Sequence, residues 1–392
     1  MKLTLLRGRI VRQDRVGDGA LLLGDGVILD ADFRGNTPEA AEVINVKESY
    51  ILPAFTEIHA HGGGGHDFLD CTSEAFRGIL DLHFAHGVTL LCPTLTACSW
   101  DKTMEFLTFC EDMKHHPCFG GVHLEGPFLS PEMSGAQNRA CLLAPTDALA
   151  DQLLEHKAII RRITVAPELP GAEAFARKMS AAGIALSIGH SAADAETVRR
   201  AADWGFSQVT HLYCSTSQRF KRGSYIVGGI VEAALTEDSL TVELIGDGHH
   251  VCRESLLMTL CCKGAERVCI VSDAMRAAGC EDSLTESWLG ERLPENRVII
   301  EDGVAKLPDR SSFAGSLAAG DTMVAALCGR YRLPLVLISR MMSEVPARLL
   351  GLGASRGRIA PGCAADFVIL DKQYHTTAVI TAGEKVEVSY VR

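Results

Sequence analysis

From about residue 50 to residue 273 the chain alternates between two hydrophobic patterns. Eight short runs are almost continuously apolar: "ILPAFTEIHA", "GVTLLCPT", "GGVHLEGP", "RRITVAPE", "GIALSIGH", "SQVTHLY", "LTVELIGDG" and "RVCIVSDA". Such runs are what parallel strands covered on both faces require, because neither face is left to solvent. The stretches between them are mostly of helix length. Two of these, "SEAFRGILDLHFAHG" and "AETVRRAADWG", place apolar residues at helical spacing, and Ser191 and Asp194 are available to cap the second. Eight β-then-α units predict an α/β fold of the TIM type, a (β/α)8 barrel.

The flanks carry a different pattern. Residues 1–50 contain "KLTLLRGRIV", "GALLLGDGVILDADF" and "AEVINV", short strand-like pieces broken by Gly and Asp turns. Residues 356–392 contain "GRIAPGCAADFVILDK" and "TTAVITAGEKVEVSYVR", of the same character. Neither flank is long enough to bury a good core alone. The expectation is one small β-sandwich domain built from 1–50 and 356–392 around a barrel spanning 51–355. A hairpin-like piece at Arg297–Asp309 precedes the last helical stretches, "GDTMVAALCGRY" and "SRMMSEVPARLLG".

Composition narrows the function classes. With 392 residues, 47% hydrophobic and 22% charged, the chain supports a large core and does not read as disordered. A formal charge of −11 argues against a nucleic-acid surface, which needs clustered Lys and Arg. No run of about 18 apolar residues predicts a membrane span, and "MKLTLLRGRIVRQDR" has no signal-peptide pattern. The 14 cysteines include no Cys-x-x-Cys pair. Several, Cys92, Cys252, Cys261, Cys262 and Cys269, lie in apolar runs and are expected as reduced, buried thiols of a cytoplasmic protein.

The chemistry sits at strand ends. The first run ends in His59-Ala60-His61, and residues two apart on a strand share a face, with Cα atoms roughly 6–7 Å apart. Two imidazoles so placed can meet one metal ion, whose bonds to nitrogen are only about 2 Å long. The third run ends in Glu125, the fifth in His190, the sixth carries His211, and the eighth ends in Asp273. The carboxyl ends of the strands form the face where barrel active sites are built. Carboxylates left unpaired at an apolar barrel mouth would cost several kcal/mol each, about what an unpaired buried polar group costs, and a cation relieves that. Histidines with carboxylates suit zinc or a similar divalent ion better than magnesium or calcium. His59, His61, Glu125 and Asp273 can hold one ion and Glu125, His190 and His211 another, so one or two ions per subunit are expected. Zinc comes first, with iron, manganese, cobalt and nickel as the other candidates.

The series "PAFTEIHAHG", "HLEGPF", "GHS", "THLY", "DGHHV", "SDAMRAAG" and "FAGS", closing with "GRIAPGCAADFVILD", resembles the N-acetylglucosamine-6-phosphate deacetylases of the amidohydrolase superfamily. The resemblance covers essentially the full length. It implies a metal-dependent barrel, usually a homodimer, that removes acetyl from a phosphorylated amino sugar. It implies that Asp273 accepts a proton from water and returns it to the leaving amine. It also implies substrate contacts from Arg222 and His250 to the phosphate and from Ala314 and Gly315 of "FAGS". Two departures touch the substrate and not the metal. Cys214, Ser215 and Thr216 stand where the family commonly has Asn-Ala-Met, and Gln137 stands where it has a histidine to sugar hydroxyls. The sugar epimer is therefore open.

Other signals are weaker. "HGGGGHDF" lacks the Lys-Ser/Thr of a P-loop and reads as a mobile glycine loop, with His66 and Asp67 facing substrate or solvent. "AGSLAAG" is not a nucleophile elbow. Related cyclic amidases generally use a carboxylated lysine on the fourth strand, and "RRITVAPE" has none. A barrel that binds metal or an amino sugar without turnover would have no need of Asp273.

Overall fold

A computed structural model describes residues 2–39 and 41–387. Residues 1, 40 and 388–392, assigned above to the small domain, lie outside the described residues. The centre of the molecule is an eight-stranded parallel sheet whose strands follow sequence order. They are β1 (Phe55–Ala60), β2 (Val88–Leu95), β3 (Val122–Glu125), β4 (Ile160–Val165), β5 (Ala185–Ile188), β6 (Phe206–Val209), β7 (Thr241–Ile245) and β8 (Val268–Val271). Nearly every strand residue is buried, as sheets covered by helices on one side and closed on the other demand. The ends of the sheet meet just past β8, where the Asp273 N–H donates to the His59 carbonyl at 2.9 Å and the His61 N–H to the Ala274 carbonyl at 2.8 Å. The (β/α)8 architecture is present.

The helices begin where the sequence supplies caps. Thr72 accepts from the Ala75 N–H at the start of Ser73–Ala85, and Asp194 accepts from the Thr197 N–H at the start of Ala195–Asp203. The helix Arg253–Lys263 buries Leu256, Thr259 and Lys263. Cys261 and Cys262 consequently face outward and, with Cys252, are exposed. The expectation that these three thiols are buried is corrected: an apolar run on a one-sided surface helix does not bury every member.

Both chain ends join one seven-stranded sheet. Its order is Glu384–Glu387, Thr376–Thr381, Phe367–Leu370, Ala41–Pro53, Leu3–Val11, Val16–Gly24 and Val27–Asp30. It has a core of its own, including Leu6, Ile10, Leu21, Ile28, Ile51, Phe367 and Ile380. Ile51, Leu52 and Pro53 pair with Ile369, Val368 and Phe367, so this sheet takes in residues that the first hydrophobic run had placed in the barrel. A third sheet, Glu286–Trp288, Arg297–Glu301 and Val304–Lys306, follows β8. Its apolar side packs with Met275, Ala277 and Ala314, which sets it as a wall over the carboxyl ends of the barrel strands. Among the described residues no helix is long and apolar enough to cross a membrane.

Candidate metal centre

The strand ends bring the expected ligands to one place. His59 lies inside β1 and His61 just beyond it, Glu125 is the last residue of β3, and His190, His211 and Asp273 follow β5, β6 and β8. Three of these leave the strand conformation sharply: φ is +45° at His190, +28° at His211 and +50° at Asp273. A left-handed backbone at a non-glycine residue costs about 1 kcal/mol or more. Here it turns each side chain off the strand direction and onto the barrel rim.

The separations are those of a coordination shell. Glu125 Oε1 lies 2.8 Å from His211 Nε2 and 3.2 Å from His190 Nε2. Glu125 Oε2 lies 3.2 Å from His61 Nε2, and Asp273 Oδ1 lies 3.1 Å from His61 Nε2 and 3.4 Å from His59 Nε2. Ligand atoms each about 2.0–2.1 Å from a tetrahedral ion sit roughly 3.3–3.4 Å apart. Two groups bring their ligand atoms within 4.8 Å of one another, His59–His61–Glu125–Asp273 and Glu125–His190–His211, both buried.

Tautomers supply a second test. His61 Nδ1 faces the Thr94 carbonyl at 3.2 Å and His190 Nδ1 faces the Met133 carbonyl at 2.9 Å, so both nitrogens must donate. His59 Nδ1 meets the Glu243 carboxylate at 3.1 Å. Each Nε2 is thereby left to present its lone pair to a cation. His59 Nε2 is buried with no hydrogen-bond partner among the described residues. The donor set fits a divalent ion.

Electrostatics point the same way. Burial alone would push the His59 and His61 imidazoles down, yet the carboxylates of Glu125 and Asp273 outweigh it. They hold His59 well above its ordinary value and His61 at about 9. Burial would raise the two carboxyls, but the imidazoles hold Glu125 well below the usual range, chiefly through His59 and His190, and Asp273 below it through His59 and His61. Both carboxylates are ionised at neutral pH.

Beneath the ligands the barrel interior is polar, which the sequence reading missed. Glu243 of β7 forms a buried ion pair with Arg162 of β4 and also receives His59. Glu57 of β1 accepts the N–H groups of His59 and Ser272 at 2.8 and 2.9 Å, stitching β1 to the end of β8. Burial pushes its carboxyl up to about 7 against those hydrogen bonds. The available signal was a charged residue inside an otherwise apolar strand, as in "TVELI" and "IRRITV".

Above the ligands a cavity of about 450 Å³ opens. His61, Glu125, Gln137, His190, His211, Cys214, Ser215, His250, Asp273 and Gly315 all line it. His59 lies below it, fully buried. His250 Nδ1 is held by Asp247 at 2.7 Å, with the ring packed 4.7 Å from that of Phe313. Lys306, at the end of the third sheet, and Arg310, in the turn beyond it, form part of the wall, residues that the sequence did not single out.

Several candidates lie apart from the cavity as this one chain lines it. Arg222 does not line the cavity; it sits on the exposed hairpin of Phe220–Arg222 and Tyr225–Val227, paired with Asp194 at 2.8 Å. Ala314 is fully buried against Met275 and its neighbours, and its N–H bonds the Ala305 carbonyl. The glycine run is not a loose loop. Gly62–Gly63 pairs with His66–Asp67, and the Gly64 and Gly65 N–H groups donate to Ala278 and Arg276. At Gly63, with φ +155°, a Cβ would stand 2.4 Å from Leu82. His66 packs against Gly78, while Asp67 is buried and accepts from Gly290 and Leu69. Both serve the structure.

The amidohydrolase family model matches residues 50–391. The N-acetylglucosamine-6-phosphate deacetylase of Bos taurus is 30% identical over 390 residues, covering 94% of this chain and 92% of that protein. The chain belongs to the N-acetylglucosamine-6-phosphate deacetylase family of amidohydrolases. An N-acetylgalactosamine-6-phosphate deacetylase from Escherichia coli O157:H7 is 28% identical, covering 97% and 98% of the two chains. A mutant N-acetyl-D-glucosamine-6-phosphate deacetylase from Mycobacterium smegmatis, solved in complex with N-acetyl-D-glucosamine-6-phosphate, superposes with a TM-score of 0.90 at 28% identity. That likeness covers 98% of this chain and 99% of the other. Within this deacetylase family both epimers of the sugar phosphate thus appear among relatives of similar identity.

Proposed function

We propose that the chain is a divalent-metal-dependent hydrolase that removes the N-acetyl group from an amino sugar 6-phosphate. The preferred substrate in this reading is N-acetylglucosamine-6-phosphate, giving glucosamine-6-phosphate and acetate. The observation that carries it is Asp273: an ionised carboxylate on the cavity wall, within 3.4 Å of two imidazoles whose Nε2 atoms are free for a cation.

His59, His61, Glu125, His190, His211 and Asp273 would hold one or two ions, zinc first. When bound, such an ion supplies Lewis acidity toward water and the amide carbonyl. Asp273 takes the proton from the attacking water and returns it to the sugar nitrogen as the C–N bond breaks. The buried walls of the cavity exclude bulk water and orient the acyl group. His250, steadied by Asp247, faces the phosphate end together with Lys306 and Arg310, while Cys214, Ser215 and the Gly315 backbone border the sugar.

A homodimer and a cytoplasmic location complete the reading. The exposed hairpin that carries Arg222 leaves Phe220, Tyr225 and Ile226 uncovered, with Tyr225 76% and Ile226 73% exposed, an apolar face suited to a second copy.

The test is a deacetylation screen over N-acetylglucosamine, N-acetylgalactosamine and N-acetylmannosamine, each with and without a 6-phosphate. Turnover of the glucosamine phosphate at least tenfold above the others is expected. Preference for an unphosphorylated sugar removes the phosphate assignment. Hydrolysis of cyclic amides alone removes the deacetylase reading.

A further inference from the structure

Gln137 occupies an unusual position. It is buried, and both ends of its amide are engaged. The Ala97 N–H, which can only donate, meets Oε1 at 2.7 Å. The other end is therefore the amino group, and Nε2 donates to Glu125 Oε2 at 2.7 Å. Ala97 lies just beyond β2, and the Gln137 backbone is itself tied by its N–H to the Ser134 carbonyl at 2.9 Å. The amide is thus a strut from the rim of the barrel to one particular oxygen of the glutamate common to both ligand groups.

That choice of oxygen has a geometric consequence. Oε1 points to His211 and His190, at 2.8 and 3.2 Å, and also stands 3.5 Å from His59 Nε2. Oε2 points to His61, at 3.2 Å, and to Gln137. A carboxylate free to rotate about its last bond could present both oxygens to either group. With one lone pair of Oε2 taken by the amide, rotation breaks a charge-assisted hydrogen bond. We propose that Gln137 is a positioning residue for the metal centre: it fixes the plane of the Glu125 carboxylate so that Oε1 stays with His190 and His211 and Oε2 stays with His61. The inference rests on the metal-hydrolase reading above and differs from the expectation that Gln137 serves the sugar hydroxyls. Hydrogen-bond partners of metal-binding carboxylates typically change affinity by about 10–100-fold when removed.

The experiment compares the wild-type chain with Gln137→Met, which keeps the shape and loses the amide, and Gln137→Ala. Each protein is stripped of metal and titrated with Co(II) against a competing chelator, and the visible Co(II) spectrum is recorded. The steady-state constants are then measured at saturating Co(II). A loss of Co(II) affinity of at least tenfold in both variants, an altered Co(II) band, a lower kcat and a KM within twofold of wild type are expected. Circular dichroism of the stripped proteins reports folding, so that if Gln137→Ala unfolds the Gln137→Met result still decides. Unchanged Co(II) affinity and spectrum in a folded Gln137→Met overturn the proposal, and a raised KM beside unchanged affinity returns Gln137 to the sugar. Wild-type protein that binds no Co(II) also overturns it. Tight Co(II) binding that depends on Gln137, without deacetylation of any sugar, leaves the strut standing and defeats only the substrate assignment.

Discussion

Two carboxylates in this barrel carry very different loads. In the proposed mechanism Asp273 carries the proton, and its replacement by Asn keeps size and polarity while removing the basic site. Turnover of Asp273→Asn should fall by about 10²–10⁴-fold, with bound metal, assayed by elemental analysis, largely retained through Glu125, His190 and His211. Turnover near wild type would remove Asp273 from the chemistry. Glu243 bears a structural load instead. It faces the guanidinium of Arg162, which is only 1% exposed, and holds Nδ1 of His59. Taking away one partner of a buried pair leaves the other charge uncompensated, at a cost of about 3–5 kcal/mol. Glu243→Gln should lose that much in urea unfolding, and a loss below 1 kcal/mol would mean that the Arg162 charge is solvated some other way. The candidate ligands could be read from the sequence because each ends an apolar run. Glu243 and Arg162 could not, since a charge inside such a run looks like an interruption until the partner strand, some eighty residues away, is placed opposite it.

At the scale of elements, strands and caps were legible wherever local chemistry decides them. "SEAFRGILDLHFA" and the Asp194 cap are helices as the pattern predicts. What failed was direction over distance. The run "ILPAFTEIHA" gives no hint that its first three residues pair with Phe367–Ile369, because the two sheets bury equally apolar strands. The Arg222 hairpin could not be aimed from its starting point, and Arg310, far along the chain, was brought to the cavity by packing of the third sheet. The helix Ser73–Ala85 makes its own contribution beneath the glycine turn, where His83 Nε2 donates to the Gly62 carbonyl at 3.1 Å. Burial pushes this imidazole down to about 4, against about 6.5 in an unfolded chain. Between those values the unfolded chain binds a proton that the folded one refuses. Stability from His83 is therefore complete above pH 6.5 or so and is lost as pH falls toward 4. Urea unfolding at pH 7 and pH 5 should differ by about 2 kcal/mol more in the wild type than in His83→Gln. Equal differences in the two proteins would contradict the burial argument.

For the molecule as a whole, the centre ties together parts of the barrel that are remote in sequence. Its side chains come from β1, β3, β5, β6 and β8 or the turns just beyond them, and the seam between β1 and the end of β8 runs through His59 and Asp273 themselves. A cation held there cross-links that seam, and any ligand that binds only the folded chain stabilises it by RT ln(1 + [L]/Kd), about 2.7 kcal/mol at a hundredfold excess over Kd. Removing it leaves two buried carboxylates facing imidazoles that must take up protons instead. Dialysis against a chelator should thus lower the unfolding midpoint by several degrees, and zinc should restore it. The effect should also be local. The seven-stranded sheet has a separate apolar core, and none of its described residues belongs to the centre. Hydrogen exchange on the stripped protein should therefore quicken in Phe55–Ala60 and Val268–Val271 and stay unchanged in Leu3–Val11. Faster exchange throughout would show that the metal supports the whole fold and not the seam, and unchanged exchange at both barrel strands would mean that the hydrogen bonds of Glu57, His59 and Asp273 close the barrel without it.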